Sequence, residues 1–119
     1  TWTYLNKEFL RREEVKISPF DRGFLFGDGV YELIPIYNKK IFYVHDHLDR
    51  LKSSLEQINV SPQLVEHNEF QEIINSLIKK NDYTNHYIYI HIISYINDYI
   101  YQMIFYYIIS ELNLCIEFY

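Results

Sequence analysis

A short glycine-rich stretch, residues 21–32, contains the residue types best suited to fold backbone closely around a ligand or another strand. All three glycines of the 119-residue chain lie within it: Gly23, Gly27 and Gly29. A residue without a Cβ atom adopts positive φ angles and allows close approach, so this spacing predicts a tightly folded loop rather than a flexible linker. The charged side chains of Asp21, Arg22 and Asp28 can fix the loop by hydrogen bonds to backbone. The apolar residues 24–26 are expected to anchor it to a core.

Three residues in one short run are of types that bind metal ions. His45, Asp46 and His47 are ordinary metal-ligand types in one short run. Alternate residues at a helix start do not face the same way, however, and no further cluster completes a coordination sphere. We therefore predict no metal site. His86 and His91 occupy positions of opposite parity in a strand-like segment, so they are expected to point to opposite faces.

Two charged residues lie where a side chain of their type needs a partner or a ligand. Glu32 falls on the apolar, expected buried face of its strand, and a buried carboxylate requires a charged or donating partner. Arg22 is the nearest candidate in sequence. Arg50 lies on the flank of an apolar helix stripe, where a ligand-facing residue would sit. Its structural alternative is an i to i+4 pair with Asp46.

Hydrophobic patterns predict the elements that position these residues. Hairpins are predicted from residues 2–5 with 8–10 and from 30–37 with 41–44, with a short strand at residues 15–17 between them. Helices are predicted at residues 45–60, capped by Asp46, and 68–80, capped by Asn68 with Gln71. Residues 87–94 and 99–109 are typical of strands. This order predicts an α+β domain whose mainly antiparallel sheet carries two helices on one face.

The glycine-rich stretch and its neighbours resemble a known family. Residues 21–32 (DRGFLFGDGVYE), preceded by residues 14–18 (EVKIS) and followed by residues 47–51 (HLDRL), resemble the amino-terminal small domain of the class IV pyridoxal-phosphate aminotransferases. Among these they most resemble the D-amino-acid (D-alanine) aminotransferases. The resemblance extends from about Tyr4 to about Ile92 and fails beyond Ser94.

The resemblance implies roles for two side chains. Tyr31 would point into the active site and help to hold the substrate carboxylate. Arg50 would bind the phosphate of pyridoxal 5'-phosphate, for which the planar fork of guanidinium donors is well suited, and His47 would give local support. We expect Tyr31 and Arg50 to face a common concave surface. The structural alternative for Tyr31 is a strand tyrosine with a hydrated hydroxyl.

The resemblance also implies parts that these residues lack. Transamination needs a lysine amine that forms a Schiff base and moves a proton, and the family places it in a second domain beyond the arginine helix. No lysine follows Lys80. In addition, Ser94 stands where the family has an arginine of the substrate carboxylate trap. We therefore expect no catalytic residue in this chain, and an amino-terminal fragment that is inactive alone.

The composition of the chain changes after Lys80. All eleven Lys and Arg residues lie at or before that position, and nine Tyr and ten Ile occupy the last 39 positions. We predict a domain over residues 1–94 and a divergent Ile/Tyr-rich tail over residues 95–119, such as an AT-rich sequence read in a shifted frame would produce. If unpaired, the uncharged residues 99–110 would be a template for aggregation. A homodimer or larger assembly with contacts from the tail is expected.

Charge and composition limit the partners. A net charge of -5 and a pI near 5.4 provide no basic field, so nucleic acid is not expected as a partner. The longest uncharged apolar stretch is too short to span a membrane. A single cysteine, Cys115, and a charged start indicate a reducing cytoplasm. The partners implied by the resemblance are small amino and oxo acids.

Three functions remain open at this point. The first is a D-amino-acid aminotransferase, which moves an amino group between a D-amino acid and a 2-oxo acid. The second is a branched-chain aminotransferase or an aminodeoxychorismate lyase, since these share the glycine loop and the arginine helix. The third is a non-catalytic, truncated interaction module.

Overall fold

Two hairpins with two-residue turns organise the amino-terminal half of the fold. The computed structural model describes residues 1–82, 84–94 and 100–107. In it β1 (Trp2–Leu5) pairs antiparallel with β2 (Glu8–Arg11), and β3 (Gly29–Tyr37) with β4 (Lys40–Ile41). The turn residues all have positive φ: Asn6, Lys7, Asn38 and Lys39. This left-handed backbone matches the twist of the flanking strands. Both predicted hairpins form, but the second arm of the second one is shorter than the predicted residues 41–44 and ends at Ile41.

Three α-helices are present among the described residues: α1 (Arg22–Phe26), α2 (Val44–Gln57) and α3 (His67–Asn81). The predicted stripes of α2 and α3 are buried, including Leu48, Leu51 and Leu55 on α2 and Phe70, Ile74, Leu77 and Ile78 on α3. Short 3₁₀ turns lie at Arg12–Glu14 and Pro62–Leu64.

The predicted helix caps are wrong. Tyr43, in left-handed backbone with φ 45°, precedes α2 without a capping side-chain bond, and Asp46 lies inside the first turn. The carboxylate of Glu66 caps α3 by accepting hydrogen bonds from the backbone N–H groups of Asn68 and Glu69, at 3.0 and 2.7 Å. Glu66 has a longer side chain than the usual capping residues, and it reaches two of the free N–H groups at the helix start.

The predicted strand over residues 15–17 is also wrong, since these residues form no strand. The Glu14 carboxylate accepts a hydrogen bond from the Arg11 backbone N–H at 2.8 Å. This closes the 3₁₀ turn that directly follows β2. A three-residue alternation is too short to outweigh such a turn.

The two remaining strands join the hairpins into one antiparallel sheet. Strand β5 (His86–Ser94) pairs with β3, and β6 (Ile100–Tyr107) pairs with both β5 and β1. The order across the sheet is β2-β1-β6-β5-β3-β4. Strand β6 belongs to the region that we predicted as a tail, and it is paired on both sides within this sheet instead of offering an unpaired edge. The other tail residues, Cys115 among them, lie outside the described residues.

The core lies between one face of the sheet and helices α2 and α3. Five isoleucines of β3 and β5 are fully buried there, together with the helix stripes: Ile34, Ile36, Ile88, Ile90 and Ile92. The fold is thus α+β, with a mainly antiparallel sheet and two helices on one face, as predicted. The opposite face of β3 and β5 carries Tyr31, Tyr89 and His91, and we call it the open face. No helix among the described residues combines the length and apolar character needed to cross a membrane.

Candidate functional site

The glycine-rich stretch folds into the short helix α1 and a turn that leads into β3. The buried Asp21 carboxylate accepts a hydrogen bond from the Gly23 N–H at 2.8 Å and caps α1. Gly27 ends the helix with φ 65°, a conformation that favours glycine. The Arg22 guanidinium donates to the Asp28 carboxylate at 2.7 Å across the turn. Asp21 therefore holds the loop through a hydrogen bond to backbone, and Arg22 and Asp28 hold it through their ion pair.

The apolar residues of this loop do not anchor it, contrary to our expectation. Phe24, Leu25 and Phe26 are exposed. The loop is seated instead by Gly23, since a Cβ atom there would lie 2.8 Å from the Ile93 side chain. Because Gly23 has no side chain, the loop approaches Ile93 closely. The aromatic rings of the loop stay at the surface.

Glu32, His47 and Arg50 form a hydrogen-bonded cluster between β3 and α2. Arg50 donates from Nε to Glu32 Oε1 at 2.6 Å and from Nη2 to Oε2 at 2.8 Å. His47 Nδ1 lies 2.8 Å from Oε2, so its proton is placed to be donated to the carboxylate. His47 and Arg50 are three residues apart, which puts both on one side of α2. The buried Glu32 carboxylate therefore has the partners that its burial requires.

The electrostatics of the cluster favour its charged form. Burial by itself would raise the pKa of Glu32, but hydrogen bonds from Arg50 and His47 outweigh it and hold the pKa below its usual value. The hydrogen bond to Glu32 and its negative charge raise the pKa of Arg50. Glu32 is only 5% exposed, whereas the Arg50 side chain is 66% exposed. The arginine is therefore held at its base by a buried acid while its outer part faces solvent.

Tyr31 lies next to this cluster in sequence but on the open face of the sheet. Its ring is 64% exposed and stacks on Tyr89 of β5, with centroids 5.6 Å apart and planes at 25°. Tyr89 contacts the edge of the His91 ring at 5.8 Å. Burial lowers the pKa of His91, and the nearby Asp21 partly opposes this effect. The open face thus presents a row of aromatic rings beside the glycine loop.

We expected Tyr31 and Arg50 to face a common concave surface, but Tyr31 lies on the open face and Arg50 binds Glu32 on the other face. Consecutive residues of a strand point to opposite faces, and Arg50 binds the residue that follows Tyr31. Strand β4 pairs with β3 only at Ile36 and Tyr37, so it does not cover β3 at Tyr31 and Glu32. The two candidate side chains therefore lie on either side of the same strand edge.

Sequence reasoning found the unusual position of Glu32 but not its partner. Arg22, the nearest arginine in sequence, binds Asp28 instead. The sequence signal for the true partners was the three-residue spacing of His47 and Arg50, which puts two donors on one side of a helix. The alternative pairing of Arg50 with Asp46 is replaced by the bond to Glu32.

The remaining histidines lie outside that cluster. His86 is buried on the helix-covered face, and His91 lies on the open face, as their parity predicted. His91 also lines a cavity of about 450 Å³, together with Asp21, Ser18 and Ile93. No three histidine, cysteine or carboxylate side chains within the described ranges are grouped so that they could hold a metal ion.

Comparison with known proteins places these motifs in a family. The sequence profile described as "Amino-transferase class IV" matches residues 29–101, more than half of the chain. The chain belongs to the class IV aminotransferase family. D-alanine aminotransferases of Staphylococcus epidermidis, Staphylococcus aureus and Listeria monocytogenes are 39, 40 and 35% identical to it over 90, 88 and 89 residues. These matches cover 76, 73 and 74% of this chain but only 32, 30 and 30% of the relatives, so the chain spans about a third of their length.

Solved structures show the same fold. The branched-chain amino acid aminotransferase of Escherichia coli superposes with a TM-score of 0.79 at 23% identity, over 90% of this chain and 40% of that one. A hypothetical aminotransferase of Mycobacterium tuberculosis in its PLP-bound form superposes with a TM-score of 0.82 at 12% identity, over 97 and 42%. The sheet with its two helices is therefore the small amino-terminal domain of the class IV aminotransferases.

Proposed function

We propose that this chain is the amino-terminal small domain of a D-amino-acid aminotransferase. The complete protein would move an amino group between a D-amino acid and a 2-oxo acid and would use pyridoxal 5'-phosphate. The relatives that support this choice of substrate are D-alanine aminotransferases at 35–40% identity. The chain spans about a third of them, so the activity is proposed for the protein to which these residues belong.

The arrangement of Arg50 is the observation that best supports the proposal. A guanidinium carries five N–H donors, and Glu32 engages only Nε and Nη2. Nη1 stays available at the exposed end for a phosphate oxygen. Because Glu32 offsets the charge of Arg50, the site offers oriented donors rather than a strong positive field. These residues fit the phosphate of the cofactor.

Tyr31 is proposed to bind the substrate carboxylate. Its exposed ring is fixed by stacking on Tyr89, which limits the entropy lost when its hydroxyl donates a hydrogen bond to a ligand. Tyr31 and Arg50 border the same edge of β3, so a ligand that lies along this edge could contact both. Arg50 would hold the phosphate end there and Tyr31 the substrate end.

The cofactor, when bound, withdraws electrons from the carbon that carries the amino group. In this chain Arg50 would hold and orient it, Glu32 and His47 would position Arg50, and Tyr31 would orient the substrate. We propose that the lysine that moves the proton lies outside these residues, since no lysine follows Lys80. The chain alone is then inactive and binds the cofactor weakly.

We further propose a homodimer or larger assembly in the cytoplasm. Exposed Phe20, Phe24 and Phe26 around the glycine loop form an apolar surface of the kind that other protein surfaces cover. The division into a domain over residues 1–94 and a divergent tail over residues 95–119 also remains a proposal about sequence, since β6 of that tail forms part of the sheet of the domain. The composition change after Lys80 supports it.

An activity assay of the complete gene product that contains these residues tests the proposal. We expect transfer of the amino group from D-alanine to a 2-oxo acid, measured as oxo-acid formation from the D and L enantiomers. Preference for L-branched-chain amino acids, or release of pyruvate from aminodeoxychorismate, would assign one of the alternative enzymes. A product inactive toward all three would favour a non-catalytic module.

The role of Arg50 is tested in the same complete protein. Arg50→Gln is expected to weaken binding of pyridoxal 5'-phosphate about tenfold or more, because the oriented guanidinium donor to the phosphate is lost. Lys52→Gln is the matched control, since it removes a cation two residues further along the same helix. Equal effects of the two substitutions on cofactor affinity, measured by fluorescence titration, would rule out a specific role for Arg50.

A further inference from the structure

We propose that His45 and His67 form a binding site for a divalent transition-metal ion of the zinc type, between the first turns of α2 and α3. The two Nδ1 atoms lie 3.0 Å apart, and the ring centroids are separated by 5.0 Å. Each imidazole comes from a different helix. Neither residue belongs to the cluster of Glu32, His47 and Arg50, so the inference does not depend on the proposed function.

The separation of the two nitrogens suits a shared ion. Nitrogen ligands about 2.0–2.1 Å from a tetrahedral zinc ion lie roughly 3.3 Å from each other. The distance of 3.0 Å between His45 and His67 is shorter by a few tenths of an ångström, which small side-chain rotations can supply. Two imidazole nitrogens this close share either one proton or one metal ion, and imidazole is an ordinary ligand of zinc, copper and nickel.

The Asp49 carboxylate lies close to the far side of the His67 ring. Its Oδ1 lies 2.9 Å from His67 Nε2, the nitrogen on the far side of the ring from His45. Nε2 makes no hydrogen bond, so the carboxylate acts through its charge alone, which favours the proton on Nε2 and leaves the Nδ1 lone pair for a metal. Asp49 follows His45 by one helical turn, so one side of α2 contributes both the first ligand and the support for the second.

The surrounding charge favours a cation. Helix starts carry partial positive charge, which opposes a bound cation. Three further carboxylates lie at these two helix starts, however: Asp46 in the first turn of α2, Glu66 as the cap of α3, and Glu69 in its first turn. Lys52 brings a positive charge near Glu66, but the four carboxylates, Asp49 included, still leave a negative balance.

The coordination number sets the strength of binding. No third metal-binding side chain completes the group within the described residues, so water would fill the other positions. Such a site binds less tightly than a closed, four-ligand structural site and exchanges its metal. A bound ion would join α2 to α3 and stabilise the fold by mass action.

Titration of the full 119-residue chain with zinc sulfate at neutral pH tests the site. A Cys115→Ser background removes the single thiol, which could also bind zinc. We expect one zinc ion per chain by calorimetry and a rise in melting temperature, both lost in His45→Gln and in His67→Gln. Asp49→Asn should weaken binding less than either of these substitutions, because Asp49 acts only through its charge. Magnesium should have no effect, because it prefers oxygen ligands.

His91→Gln is the matched control, since it removes a histidine from the other face of the sheet, and it should leave zinc binding unchanged. Circular dichroism shows whether each variant is folded. A second measurement needs no substitution at the site: zinc should shift the ring NMR signals of His45 and His67 before those of the other histidines. Zinc affinity unchanged by both Gln variants, or ring shifts confined to other histidines, would overturn the proposal. So would the absence of binding, which would leave a simple hydrogen bond.

Discussion

The helix-covered face and the open face of the sheet are built from alternate residues of the same strands. On the covered face Ile34, Ile88 and Ile90 are all 0% exposed, whereas on the open face Tyr31 is 64% and Tyr37 50% exposed. A polar group on the covered face needs partners, and Glu32 has them in Arg50 and His47. The open face imposes no such demand, so its aromatic side chains stack on each other and stay accessible.

This difference indicates a division of roles. Burial of apolar area on the covered face supplies the stability of the domain. The open face contributes less to stability and therefore leaves side chains for recognition. Glu32 and Arg50 connect the two roles, because a buried acid fixes an exposed base. Substitutions on either face test this comparison.

The largest effect is expected from Ile90→Ala. This substitution leaves a cavity in the covered face and should lower the free energy of unfolding by about 2–5 kcal/mol. Tyr31→Ala on the open face should cost less than about 1 kcal/mol, because its ring is mostly exposed. Urea denaturation of both variants measures the difference. Similar losses would show that the open face is part of the core.

Acidification should destabilise the fold through His86, which is buried on the covered face. Burial lowers the pKa of His86 from 6.5 to about 4, so the folded state holds it neutral. The stability linked to His86 is fully present above about pH 6.5 and is lost as the pH falls toward 4. The loss should reach about 2–3 kcal/mol at the lower end.

His86→Leu should remove most of this pH dependence, measured by urea denaturation between these limits. His91→Gln on the open face should remove less, because Asp21 partly opposes the burial effect on His91. If the free energy of unfolding of His86→Leu depends on pH as strongly as that of the unsubstituted chain, other groups cause acid unfolding.

A smaller effect is expected from Arg50→Gln, which leaves the buried Glu32 with His47 as its donor. The expected loss is about 1–3 kcal/mol, at the lower part of the range for broken buried pairs because the guanidinium end is exposed. The double substitution Glu32→Gln with Arg50→Gln should recover part of the loss, since no buried charge then lacks its main partner. Strictly additive single and double substitutions in thermal unfolding would show that the pair is not coupled.

The smallest effect on stability is expected from Tyr31→Phe, which keeps the stack on Tyr89 and removes only the hydroxyl. The free energy of unfolding should change by less than about 0.5 kcal/mol, as measured by thermal unfolding. In the complete gene product the same substitution should raise KM for a D-amino acid if Tyr31 binds the carboxylate. A large loss of stability with unchanged KM would assign Tyr31 to the core instead.

Local patterns predicted most of the elements but not all of their ends. The turn pairs Asn6-Lys7 and Asn38-Lys39 predicted both hairpins, because two-residue turns depend on the backbone of the turn itself. The apolar stripes predicted α2 and α3 within a few residues. The strand expected over residues 15–17 did not form, and Glu66 rather than Asn68 caps α3, because a single side-chain bond decides such details.

The sequence by itself determined the family, the α+β class and the special character of the glycine loop, since each depends on residues close together in the chain. It also showed that Glu32 would need a partner. Only the tertiary structure decided that the partner is Arg50, that His67 meets His45, and that Phe24 and Phe26 stay at the surface. These contacts join residues from different elements, or depend on what covers a loop, and the packing of whole elements determines which side chains meet.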